Sequence, residues 1–129
     1  MERIPEPVRR FVDECIESVG LLEVLLLLQS DPDRTWTPAA VSREVRSERV
    51  WAEVQLEYLR THGLLEAERG PGDPAYRYSP SRPEQDQVVS QLREAFATRR
   101  VRVIQLIFKQ PQTERLRAFS EAFRFRRER

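Results

Sequence analysis

The chain has 129 residues, 40% apolar and 33% charged, which fits one water-soluble domain with a single core. One Cys, one His and four Gly exclude zinc sites built from several Cys and His ligands, and exclude glycine-rich phosphate loops. Any Ser-His-acid triad would have to use His62, so composition points to a small binding or interaction protein with no metal or cofactor, not to an enzyme. The longest unbroken apolar run, Val24 to Leu28, is far short of the ~20 residues that cross a bilayer. The opening MERIPEPVRR has no signal-peptide order, and Cys15 stands alone, so a reducing cytoplasm is expected.

The net charge of +1 hides an asymmetry. Residues 1 to 90 hold 11 Arg and 17 Asp or Glu, a net of −6, whereas residues 91 to 129 hold 10 Arg, one Lys and 4 Glu, a net of +7. Such a split predicts that the two parts face different partners or each other.

Pro5 and Pro7 precede a helical pattern in which Val8, Phe11, Val12, Cys15, Ile16 and Val19 form one apolar stripe. Ser18 and Gly20 mark a break and a new N-cap. Leu21 to Gln29 is apolar on nearly every side, which predicts a helix in the centre of the fold. After the loop Ser30-Asp31-Pro32-Asp33, Thr37 caps and Pro38 opens a helix to about Val45 that buries Val41 and Val45. A tight turn through Arg46 and Ser47 leads to a helix from Glu48 to Thr61, ended by Gly63 in a left-handed conformation.

Beyond Gly63 the period changes to two. Residues 64–69 and 75–79 read as two strands around the turn Gly70-Pro71-Gly72-Asp73-Pro74, with Tyr76 and Tyr78 on one face. Ser81 and Glu84 form a capping-box pattern that opens a helix to about Lys109, roughly 40 Å long. Pro111 stops it, and Thr113 caps a last helix to about Arg127. The fold class is mainly α with one small β-hairpin.

The segment Leu21 to Ser79 resembles a winged helix-turn-helix domain. The residues that carry the resemblance are Leu22-Glu-Val-Leu-Leu-Leu-Leu as the buried first helix and Trp36-Thr-Pro-Ala-Ala-Val-Ser-Arg-Glu-Val as the second. Glu48 to His62 would be the recognition helix, Leu56, Leu59, Gly63, Leu64 and Leu65 the passage into the wing, and Gly70 to Pro74 the wing tip. The flanking helices are similar to those of bacterial MarR-like and PadR-like regulators, which dimerise through them. The implied organisation is an N-terminal flanking helix over 1–20, a winged domain over 21–80, and a long helix with a terminal helix for dimerisation over 81–129.

In such families the recognition helix enters the DNA major groove. With Leu59 pointing inward, Ala52 and Leu56 share its face, and Val50, Val54, Glu57 and Thr61 point outward, flanked by Trp51, Glu53 and Tyr58. Candidate DNA-contacting residues are Arg49, Gln55 and Arg60 on this helix and Arg69 and Arg77 on the wing. The strip Val50, Trp51, Val54 and Tyr58 reads instead as a protein-binding surface, where aromatics supply contact area.

From Val101 to Phe108 the chain is apolar around most of a helix. A partner chain, or the last helix with Leu116, Phe119, Ala122 and Phe123, must cover what one domain cannot, and Phe96, Val103, Ile104, Ile107 and Phe108 are expected at a homodimer interface. His62 reads as a helix-end residue bonding the last carbonyls. Two functions from different classes remain open: a dimeric DNA-binding transcriptional regulator, and a winged-helix interaction module that binds a protein.

Overall fold

The computed structural model describes residues 4–109. The predicted terminal helix, with Thr113, Leu116, Phe119, Ala122 and Phe123, lies outside the described residues.

Helix α1 (Glu6–Cys15) has Pro7 in its first turn, where a missing N–H removes no helical bond. It buries Val8, Phe11 and Val12. The stripe predicted to run on to Val19 stops at Cys15; Ile16 is extended but still buried. Ser18 then caps α2 (Val19–Gln29), its hydroxyl accepting from the Leu21 N–H at 3.1 Å. Leu21, Leu22, Val24, Leu25 and Leu28 of α2 are fully buried, as the all-round apolar pattern requires.

Helix α3 (Pro38–Val45) is capped by Thr37, whose hydroxyl accepts from the Ala40 N–H at 3.2 Å. Val41 is buried, whereas Val45 is only half-buried beside the core. Arg46 turns the chain at φ 57°, and helix α4 (Arg49–Thr61) follows, burying Ala52, Leu56 and Leu59. Gly63, at φ 78°, ends it; a Cβ there would also meet Ser81 Oγ at 2.7 Å.

Strands β1 (Leu65–Glu68) and β2 (Ala75–Tyr78) pair antiparallel, Leu65 opposite Tyr78 and Ala67 opposite Tyr76. Tyr76 and Tyr78 are both buried. The sequence reading missed a third extended piece. Trp36 exchanges two 2.7 Å backbone hydrogen bonds with Tyr76, which fastens the hairpin to the segment before α3.

The long C-terminal helix is two helices, α5 (Pro83–Thr98) and α6 (Arg100–Phe108), broken at Arg99 with φ −137° and ψ 52°. No proline or glycine marks the break. The Thr98 hydroxyl donates to the Glu94 carbonyl, a back-bond that bends helices, and the Arg100 guanidinium lies 4.2 Å from the Phe96 ring centre. The cap also differs from the capping box predicted at Ser81 and Glu84. Arg82 is the N-cap, its N–H donating to Gln85 Oε1, while Ser81 is drawn to the Gly63 carbonyl by N–H and hydroxyl donors at 2.8 and 3.1 Å. Both α5 and α6 pack on α1.

Candidate nucleic-acid interface

Because Ala52, Leu56 and Leu59 fix the inner face of α4, the helical pitch turns Val50 and Val54 outward, 72% and 58% exposed. Trp51 and Tyr58 lean back toward the core. A Cβ built on Gly20 would lie 2.7 Å from Cζ2 of Trp51, so the indole occupies space that only glycine leaves open. Tyr58 stacks on the His62 ring with centroids 4.1 Å apart. Burial, and then the charge of Glu17, pushes its phenol up to about 12. The four-residue strip is therefore split, with two exposed valines and two half-buried aromatics. His62 Nδ1 lies 2.8 Å from the Tyr58 carbonyl, and the tautomer protonated there donates to it.

Each arginine proposed for phosphate is held by a carboxylate, and strand alternation sets Arg77 and Glu66 on the face of the hairpin opposite Tyr76. Arg49, the first residue of α4, reaches the wing tip and donates to Asp73 at 2.8 Å. Arg77 on β2 donates across the hairpin to Glu66 at 2.8 Å, and the Ser79 hydroxyl takes that carboxylate's other oxygen at 3.0 Å. Gln55 is half-buried on α4.

Glu57 is the centre of the arrangement. Arg60 donates to it through Nε and Nη2, at 3.1 and 2.8 Å; Arg69, just past β1, donates at 3.2 Å; and the buried Tyr76 hydroxyl donates at 2.8 Å. The Arg60 hydrogen bonds, helped by that of Tyr76 and by the charges of Arg60 and Arg69, outweigh desolvation and hold the Glu57 carboxyl down at about 2. The Glu57–Arg60 spacing of three is legible on a helix. The Arg69 and Tyr76 contacts depend on how the wing folds back on α4. Across residues 48 to 79 four arginines face six carboxylates, a net of −2 with His62 neutral.

The apolar residues assigned to a dimer interface also divide. Phe96, Val103 and Ile107 are buried within the chain, where α6 meets α1 and α5. Ile104 is half-buried, while Phe108 and its neighbour Val101 are 58% and 67% exposed. Among the described residues there is no cluster of His, Cys, Asp or Glu able to hold a metal ion, and no helix long and apolar enough to cross a membrane.

No protein-family model matches the chain, and no curated protein matches it. Solved structures do. A MarR-family transcriptional regulator from Silicibacter pomeroyi matches with a TM-score of 0.55 at 14% identity, over 95% of this chain and 80% of its own. A possible transcriptional regulator from Methanosarcina mazei matches with a TM-score of 0.53 at 15% identity, over 75% of this chain and 82% of its own. A homodimeric winged helix-turn-helix DNA-binding domain from Mycobacterium bovis, described as a possible ArsR-family regulator, matches with a TM-score of 0.52 at 19% identity, over 67% of this chain and 75% of its own. The fold is a winged helix-turn-helix. In this fold α2, α3 and α4 are the three helices, α4 holds the third-helix position before the wing, and β1 and β2 form the wing, with α1, α5 and α6 added around them.

Proposed function

We propose that this winged-helix protein is a transcriptional regulator that meets DNA with α4 and the wing. The observation that carries the reading is the contact between Arg49 and Asp73. It brings the N-terminus of α4 beside the wing tip, which supports a surface shared by helix and wing. Arg49–Asp73 and Arg77–Glu66 are single, partly exposed ion pairs. Such pairs contribute about 0–1 kcal/mol and exchange readily. A phosphate that accepts the same guanidinium hydrogen bonds can replace the carboxylate. Val50 and Val54 then face the groove, where apolar side chains contact thymine methyls, and Gln55 stands beside them as a donor and acceptor. The likeness to transcriptional regulators supports the same reading.

The regulator is proposed to act as a homodimer in which Val101, Ile104 and Phe108 of α6, spaced three and four apart, meet a second copy. The M. bovis neighbour's description as a homodimer supports this.

A second reading is favoured by one observation, the exposure of Val50 and Val54 on α4, in a segment, 48–79, of net charge −2. These features support an interaction module that docks a basic, apolar protein segment. A duplex titration separates the two. As a regulator, the Arg49→Ala and Arg77→Ala variants each lose affinity and about one phosphate contact from the salt dependence. Unchanged duplex affinity in both variants contradicts the regulator reading.

A further inference from the structure

The four arginines of α4 and the wing are not held alike. Arg49 and Arg77 each face one carboxylate of their own. Arg60 and Arg69 share Glu57, which also accepts from the Tyr76 hydroxyl, so one carboxylate gathers donors from α4, from the end of β1 and from β2. The fork that Arg60 presents to Glu57, Nε and Nη2 side by side, is the one a guanidinium presents to a phosphodiester. A DNA phosphate approaching the junction of recognition helix and wing meets two guanidiniums already occupied by an anion built into the protein.

We propose that Glu57 is an internal competitor for phosphate, which keeps Arg60 and Arg69 off the DNA backbone and so lowers affinity for DNA of any sequence. The inference rests on the regulator reading above. Its consequence is selectivity. Backbone contacts carry no sequence information, so withholding two of them leaves more of the binding to the outward face of α4. Tyr76 has a different part, since its hydroxyl is a neutral donor from β2 that holds Glu57 in place without altering the charge at the junction.

The test is binding of a generic duplex of ~20 base pairs across salt concentration, with the full chain. Glu57→Gln removes the negative charge and keeps the shape. It is expected to bind the duplex ~10-fold more tightly at low salt, with a steeper salt dependence by about one to two phosphate contacts. Arg69→Gln is expected to change little in the natural chain but to remove part of the gain when combined with Glu57→Gln. Tyr76→Phe is expected to leave the salt slope unchanged. If the natural chain binds with a normal salt dependence and Glu57→Gln neither gains affinity nor steepens the slope, Glu57 is no competitor and the regulator reading stands. Equal gains from Tyr76→Phe and Glu57→Gln would mean that loosening the wing, not charge, is responsible, and would also overturn the proposal. If no form binds duplex, the regulator reading fails and this inference with it. Should Glu57→Gln fail to fold, Arg69→Gln alone decides: a loss of affinity and of one phosphate contact in that variant overturns the proposal, and an unchanged slope upholds it.

Discussion

The Trp51 indole lies over Gly20, so close that a Cβ on Gly20 would sit 2.7 Å from its Cζ2. This contact joins α4 to the start of α2 and takes the aromatic ring out of the outward face. Alanine is intrinsically the better helix residue by up to ~1 kcal/mol. Gly20→Ala is nevertheless expected to lower the thermal unfolding midpoint, because the ring must leave a packed position to admit the methyl group. A calorimetric melt checks this, and a raised midpoint would show that the ring moves freely.

Glu57 gives the fold a defined response to acid. Its carboxyl is held at about 2, below the ordinary 4.5, chiefly by the Arg60 hydrogen bonds. A depressed carboxylate contributes stability that is fully present above the unfolded value and is lost as pH falls toward the folded one. The Glu57 contribution is thus expected intact at pH 6 and gone by about pH 2. The group is partly exposed, so the contribution is screened and modest. The Glu57→Gln variant should lose less stability than the natural chain between pH 5 and pH 2. Parallel acid-limb curves for the two proteins in urea unfolding would refute this.

The α6 face carries a prediction about assembly. Ile104 is half-buried and Phe108 is 58% exposed in the single chain. Full burial of an exposed side chain of this size is worth ~1.5–3 kcal/mol, and each of these, already partly covered, gains about half of that. Ile104→Glu is accordingly expected to give monomer or aggregate, whereas the natural protein sediments as a dimer. A stable monomer of the natural protein at high concentration removes the dimer from the account.

Much of the fold was legible because local chemistry and burial agree. Thr37-Pro38 starts α3, Gly63 ends α4, and the period-two alternation beyond it gives the hairpin, each a signal that needs no distant partner. The break at Arg99 was only half legible: Arg99 interrupts the apolar seam between Phe96 and Val103, but with no proline or glycine nearby the pattern still suits one continuous helix. Trp36 pairs with Tyr76 across 40 residues, and nothing local to Trp36 announces a strand. At the candidate site, helical pitch placed Val50 and Val54 outward and Leu56 and Leu59 inward. It could not show that Trp51 finds a gap at Gly20, nor that Arg69 and Tyr76 converge on Glu57, since both depend on tertiary approach.

The central claim, that α4 and the wing contact DNA, is tested most directly by titrating the natural protein with a short duplex at several salt concentrations. Binding is expected at low salt, with log K falling linearly in log salt by about 0.9 for each phosphate contacted, and therefore a slope of about −2 or steeper for the Arg49 and Arg77 contacts. No detectable duplex binding at ~50 mM salt with protein at ~100 μM, where even non-specific DNA-binding proteins bind, would contradict it.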